Sequence, residues 1–152
     1  MHSLLNLKHV CLEALEIRAA ETVPPRGQAT EDYSLRLEPL VEQKEGALDY
    51  RVFLGCRLRR KKDAICRYER VEFRLTGYFS LPLNTEESLV NQLIPLNCLA
   101  ILYGIGRGIV AQATGLVPGG PLLIPPVNLV EEMAKQERRQ ARLEAKKSIV
   151  VK

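Results

Sequence analysis

Cys98-Leu99-Ala100-Ile101-Leu102-Tyr103-Gly104-Ile105 is apolar nearly all the way round a helix. A helix on the surface of a small protein shows one apolar stripe, so this one requires cover on more than one side. Upstream, Asn84 or Thr85 suits a helix cap, and Glu86 and Glu87 place carboxylates at the positive end of the helix dipole. The helix is expected to run to about Thr114, with Pro95 as a kink or a break between two segments. Downstream comes Leu116-Val117-Pro118-Gly119-Gly120-Pro121-Leu122-Leu123-Ile124-Pro125-Pro126, an apolar run that its prolines bar from forming a helix or a central strand. Such a connector packs over a core or offers apolar surface to a partner. Asn128 then caps a last helix, Leu129 to about Lys147, apolar only at Leu129, Val130, Met133 and Ala134, with its remainder in solvent.

Ahead of the helices the period changes from helical to twofold. Leu48, Tyr50, Val52, Leu54, Cys56 and Leu58 alternate with Asp49, Arg51, Phe53, Gly55, Arg57 and Arg59, the pattern of a strand with one buried face. Arg59-Arg60-Lys61-Lys62-Asp63 makes a charged turn, and Ile65 to Leu81 returns as the second strand of a hairpin. Its apolar parity moves from Cys66 and Tyr68 to Val71, Phe73, Leu75 and Phe79, which a bulge near Glu69–Arg70 reconciles. Tyr33, Leu35, Leu37 and Val41 form an earlier strand, placed at an edge or broken by Pro39. Val10 and Leu12, then Leu15, Ile17 and Ala19, form another with a slip at Glu13–Ala14, and Thr22 to Thr30 is a loop. The expected class is α+β: a four-stranded antiparallel meander, a long helix, an apolar crossover loop and a second helix. Residues 1–134 form the folded unit and 135–152 a basic, partly helical tail. A sheet this small covers one side of the 98–105 helix, and a second copy of the chain is the simplest cover for the other.

With 152 residues, the chain is long enough to build one core without disulfide or metal support. Its net charge of +4 is uneven: the tail from Lys135 holds seven basic residues against two acidic, and residues 50–81 hold nine against three. A tail and one hairpin are therefore basic rather than the whole body, which argues against nucleic acid as the main partner. Hypothetically, Arg59, Arg60, Lys61 and Lys62 with the tail make a nucleic-acid module, but aromatic residues for base stacking are not interleaved among them. Cys11, Cys56, Cys66 and Cys98 lack zinc-ligand spacing, and reduced structural thiols in a cytoplasmic protein are expected, with no cofactor. His2 and His9 stand beside no nucleophile motif, so the chain is read as no enzyme. The spacing Gly104-x-Gly106-x-Gly108 departs from a dinucleotide fingerprint and follows no strand, so close helix packing is its expected use. Leu93 to Val117 contains Pro95, Asn97, Arg107 and Gln112, and a buried oligomer helix is favoured over a membrane span.

Leu96 to Val110, an aliphatic-aromatic stretch leading to an Arg and a second aliphatic turn, resembles the long first helix of the SecB family of bacterial export chaperones. Leu122-Leu123-Ile124-Pro125-Pro126-Val127-Asn128-Leu129 is similar to that family's crossover loop, with Pro-Val-Asn its most specific piece, and Gly77-Tyr78-Phe79-Ser80 resembles the end of its fourth strand. The resemblance spans roughly Leu5 to Met133. It implies an ATP-independent holdase, a dimer of dimers, that keeps unfolded or precursor polypeptides export-competent in apolar grooves. It implies client contact at Leu116, Val117, Leu122, Leu123 and Ile124, a groove floor of Phe73, Leu75 and Phe79, and a wall of Val130 and Met133. The bland alternative is that these loop residues roof their own core. The oligomer interface implied is Leu99, Leu102, Tyr103, Gly104, Arg107 and Gly108, where Arg107 pairs, bonds carbonyls or stands exposed. Members of that family hand preproteins to the SecA motor through an acidic sheet surface. Here Ala14 and Arg18 occupy acidic positions of the first strand, Glu72 retains one, and the hairpin and tail are basic. A SecB-like chaperone dedicated to an antitoxin is the variant implied beside the export role.

Overall fold

The structure, a computed structural model, describes residues 4–22, 24, 32–117 and 120–150. His2, most of the 22–30 loop, Pro118-Gly119 and Lys152 lie outside the described residues. Four strands, β1 (Asn6–Ala19), β2 (Tyr33–Gln43), β3 (Asp49–Arg60) and β4 (Tyr68–Ser80), form one antiparallel sheet. Helices α1 (Glu87–Gln92), α2 (Cys98–Thr114) and α3 (Leu129–Val150) follow, and the class is α+β as read. The sheet order is β1-β4-β3-β2. Consecutive hairpins thus join β2, β3 and β4, whereas β1 lies beside β4 and reaches β2 only through a long connection. Alternation assigns side chains to faces and leaves neighbours open, which is why a plain four-strand meander did not anticipate this order.

The alternation in β3 holds residue for residue: Tyr50, Val52, Leu54, Cys56 and Leu58 are buried. Both bulges appear where parity slips. Leu12 pairs with Leu75 and Ala14 with Arg74, passing over Glu13; Arg18 pairs with Arg70 and Ala19 with Tyr68, passing over Glu69. The Glu69 bulge switches the buried set of β4 from Tyr68 to Val71, Phe73, Leu75 and Phe79. Pro39 sits in β2, an edge strand, where its missing N–H costs the sheet no internal bond.

Between α1 and α2 the backbone widens into one π-turn, Leu93–Asn97, with Pro95 inside it. Proline lacks the N–H and clashes with the preceding turn, and the looser winding absorbs both without ending the helical run. Neither Asn84 nor Thr85 caps α1: Glu86 takes that position with no side-chain bond, and the Thr85 hydroxyl donates instead to Pro82 O at 2.6 Å. The Asn128 cap of α3 is as expected, accepting from the Val130 and Glu131 amides at 3.2 and 3.4 Å. No residue of α3 is buried.

Glu87–Thr114 is long and apolar enough to cross a membrane by length and composition. Here α2 lies across β3 and β4 with Leu99, Leu102 and Val110 in the core. Gly106 is what lets it sit so low: a Cβ there would meet the Phe73 ring at 2.3 Å. Gly104 and Gly108 are turned away, with nothing within 4 Å. One glycine therefore serves helix-on-sheet packing and two remain on the outer side.

Candidate functional site

The crossover loop leaves α2 at Gly115 and is tied down between Gly120 and Pro125. Thr114, fully buried at the end of α2, accepts from the Leu122 amide at 2.8 Å while donating to Val110 O at 2.6 Å. Arg107 Nε donates to Ile124 O at 2.6 Å, and the Tyr103 hydroxyl to Pro125 O at 2.8 Å. Burial pushes the Tyr103 phenol above its ordinary range, so it stays a donor. From β4's side, Arg67 Nη1 reaches Gly120 O at 3.1 Å, where a φ of 88° turns the chain in the region that favours glycine.

Held extended, the loop sorts its side chains alternately. Leu122 and Ile124 are buried in the core, whereas Leu123 is 72% and Leu116 95% exposed. Val117 and Met133 are half-buried against the core, and Val130 is exposed on the first turn of α3. The implied client set thus divides. Leu116, Leu123 and Val130 stand free, with Val117 and Met133 partly so, while Leu122 and Ile124 roof their own subunit. Phe73, Leu75 and Phe79 do not floor an open groove: all three are at most 1% exposed, because α2 seats directly on them. A cavity of about 460 Å³ opens instead where α1 overhangs the sheet, with Val41, Leu48, Leu83, Val90 and Ile94 in its lining. Leu48 bonds Leu81, just past β4, through the backbone at 2.9 Å, but Leu83 itself follows a proline and reads as loop.

The implied interface set divides likewise. Leu99, Leu102 and Tyr103 are consumed by the subunit's own core, since they share the face of α2 that carries Gly106. Arg107 bonds the crossover loop of its own chain. Gly104 and Gly108 do face outward, beside Ala100 and Ile101, and this is the uncovered face of α2. On the same side of the sheet, Leu12 and Leu15 of β1 pair with the buried Leu75 and Phe73 yet stay 47% and 37% exposed, because α2 stops short of β1.

On the opposite face, Glu72 receives Arg57 at 3.2 Å and Arg70 at 2.6 Å. These bonds, Arg57's first, hold its carboxyl below the usual carboxylate range. It is neutralised rather than offered as an acidic contact. No group of three metal-ligating side chains occurs among the described residues.

An α+β subunit whose long helix lies on a 1-4-3-2 sheet, with an apolar loop leading to a second helix, has the fold of a SecB-like chaperone of known structure. The SecB-like chaperone Rv1957 of Mycobacterium tuberculosis, solved in complex with a ChAD peptide from the HigA1 antitoxin, superimposes with a TM-score of 0.63 at 20% identity, covering 82% of this chain and 91% of that one. A protein of unknown function from Streptococcus agalactiae aligns more loosely, with a TM-score of 0.49 at 11% identity over 80% of this chain and 97% of its own. No family model matches the chain, and no curated protein does.

Proposed function

We propose that this chain is an ATP-independent cytoplasmic holdase that binds non-native polypeptide on exposed apolar side chains and assembles as a dimer of dimers. The observation that carries the reading is the crossover loop, which is anchored by hydrogen bonds from Tyr103, Arg107 and Thr114 yet turns Leu116 and Leu123 to solvent. Large apolar side chains held outward on an anchored backbone give a partner chain apolar surface to cover. Each client side chain buried there is worth about 1.5–3 kcal/mol. Several weak contacts together hold a chain without demanding a particular sequence. Self-association is supported by the uncovered face of α2 and the half-exposed Leu12 and Leu15 beside it. Leu116→Asp/Leu123→Asp should abolish suppression of aggregation of a denatured client at stoichiometric amounts while leaving oligomeric mass unchanged by light scattering. Full protection by that variant, or a stable monomer in the wild type, sinks the proposal. Leu122→Asp is unsuited to the test, since that side chain is core.

A second function is favoured by one observation: the superimposed Mycobacterium tuberculosis chaperone was solved with an antitoxin peptide. A chaperone dedicated to one antitoxin would protect that client and fail with unrelated denatured proteins. Delivery of precursors to the SecA motor stands outside the proposal, because Glu72 is locked between two arginines.

A further inference from the structure

Across three neighbouring strands, Arg59 of β3 pairs with Arg70 of β4, and Arg70 with Arg18 of β1. Like charges placed directly opposite destabilise a sheet, and strands lie only about 4.8 Å apart. The next row partly compensates: Glu72 binds Arg70 at 2.6 Å, and Glu16 lies 3.4 Å from Arg70 and 3.7 Å from Arg18. Nothing compensates Arg59 or Arg60, which have no ion-pair partner among the described residues. Arg18, Arg59, Arg60 and Arg70 line one concavity of about 330 Å³ at this end of the sheet, together with Glu69, the residue that the bulge pushes out of register. Folding stability gives no reason for this clustering.

We propose that this concavity on the outer face of the sheet is a docking site for an acidic polypeptide segment of a partner protein. Charge complementarity selects the occupant. Arginine forks grip carboxylates through paired N–H donors, and the two uncompensated arginines are free to do so. Nucleic acid fits less well for two reasons on the same surface. Glu16, Glu69 and Glu72 sit among the arginines and would meet an unbroken line of phosphates, whereas a peptide spaces its acids along neutral backbone and can step past them. The nearest rings are not available for base stacking either: Tyr33, paired with Arg60, packs against the core, and Tyr68, beside Glu69, is fully buried. The site is on the face opposite α2 and the crossover loop, so client holding and docking can proceed together.

The test uses the full chain and a short labelled peptide of alternating Glu and Ala, followed by fluorescence anisotropy at low and moderate salt. The peptide should bind, lose affinity as salt rises, and bind at least about tenfold more weakly to Arg59→Gln/Arg60→Gln and to Arg18→Gln. Arg138→Gln/Arg139→Gln/Arg142→Gln, in the basic half of α3, should bind it as the wild type does. Circular dichroism checks that each variant is folded. No binding by the wild type overturns the proposal, as does loss of binding through the α3 variant alone. Tighter binding of a single-stranded RNA of equal charge, abolished by the same hairpin variant, overturns it in favour of nucleic acid. Suppression of client aggregation should be untouched by Arg59→Gln/Arg60→Gln, so failure here and failure of the holdase function are separately visible.

Discussion

Placing alanine at Gly104 and at Gly106 should move stability in opposite directions, although the two sites are two residues apart on one helix. Both substitutions gain the same helix propensity, about 1 kcal/mol relative to glycine, so this contribution cancels when the variants are compared. What remains is packing. The new methyl at Gly104 meets nothing within 4 Å, whereas at Gly106 it would stand 2.3 Å from the Phe73 ring. Carbon atoms rest at about 3.5–4.0 Å, so α2 or the ring must give way by more than an ångström. Phe73 has no exposed surface to retreat into. Overpacking of a tight core costs about 1–3 kcal/mol, and the depth of this clash puts it at the upper end. The two variants should therefore differ by about 2–3 kcal/mol in urea denaturation, or roughly 5–10 °C in Tm for a chain of this size. Because Gly104 lies on the face proposed for self-association, the comparison is made at equal protomer concentration and equal oligomeric mass by light scattering. Adding Phe73→Leu to Gly106→Ala should recover part of the loss. Equal stability of the two alanine variants would mean that α2 does not rest on β4 as described.

Thr114→Val keeps the shape of the side chain but leaves the buried Leu122 amide without its acceptor; we expect a loss of about 1–3 kcal/mol in urea denaturation. Faster proteolysis between Leu116 and Leu123 should accompany it, and an unchanged cleavage rate would argue that the other tethers suffice. Glu72 titrates below its ordinary value of 4.5 in the folded chain, so its contribution is complete above that pH and disappears as pH falls through the depressed value. The stability gap between wild type and Glu72→Gln should accordingly be constant from neutral pH down to about 5 and close in acid, and a gap that widens in acid contradicts the ion-pair assignment. Burial pushes the thiols of Cys56 and Cys98 up to about 12, and Cys66 is only 2% exposed. Intact-mass spectrometry after mild alkylation of the native protein should find a single adduct, on Cys11; modification of Cys56 or Cys98 without unfolding would place the helix wrongly.

Much of this architecture is legible in the residues. Twofold alternation from Leu48 to Leu58 states which face of β3 is buried, and the slips at Glu13 and Glu69 mark two of the three register shifts between β1 and β4, the third, at Lys8, leaving no parity signal. Pro-Pro-Val-Asn marks the entry to α3, where Asn128 caps as its side chain dictates. Pairing order is not encoded in alternation, so β1 beside β4 came only with the structure. For α2, uniform greasiness hides which side meets the sheet; the faces are told apart by Gly106, whose neighbour is distant in sequence. The candidate site was half visible for a related reason. Leu122, Leu123 and Ile124 look equivalent as composition, yet an extended backbone turns alternate side chains to opposite sides, and this period would have separated Leu123 from its neighbours. Phe73, Leu75 and Phe79 read as a floor because nothing in a linear pattern reveals how closely a helix is laid over them.

In the proposed holdase, a crossover segment stitched to its own subunit at Gly120, Leu122, Ile124 and Pro125 has surrendered most of its freedom before any guest arrives. Capture then demands little ordering on the host's side, and the entropic toll of association falls chiefly on the captured chain. Calorimetry should accordingly register a heat-capacity change set by greasy area covered, with no added signature of a host segment folding on contact. Such a surface behaves less like a closing jaw than like a fixed rail, to which and from which guests can pass without waiting for it to move.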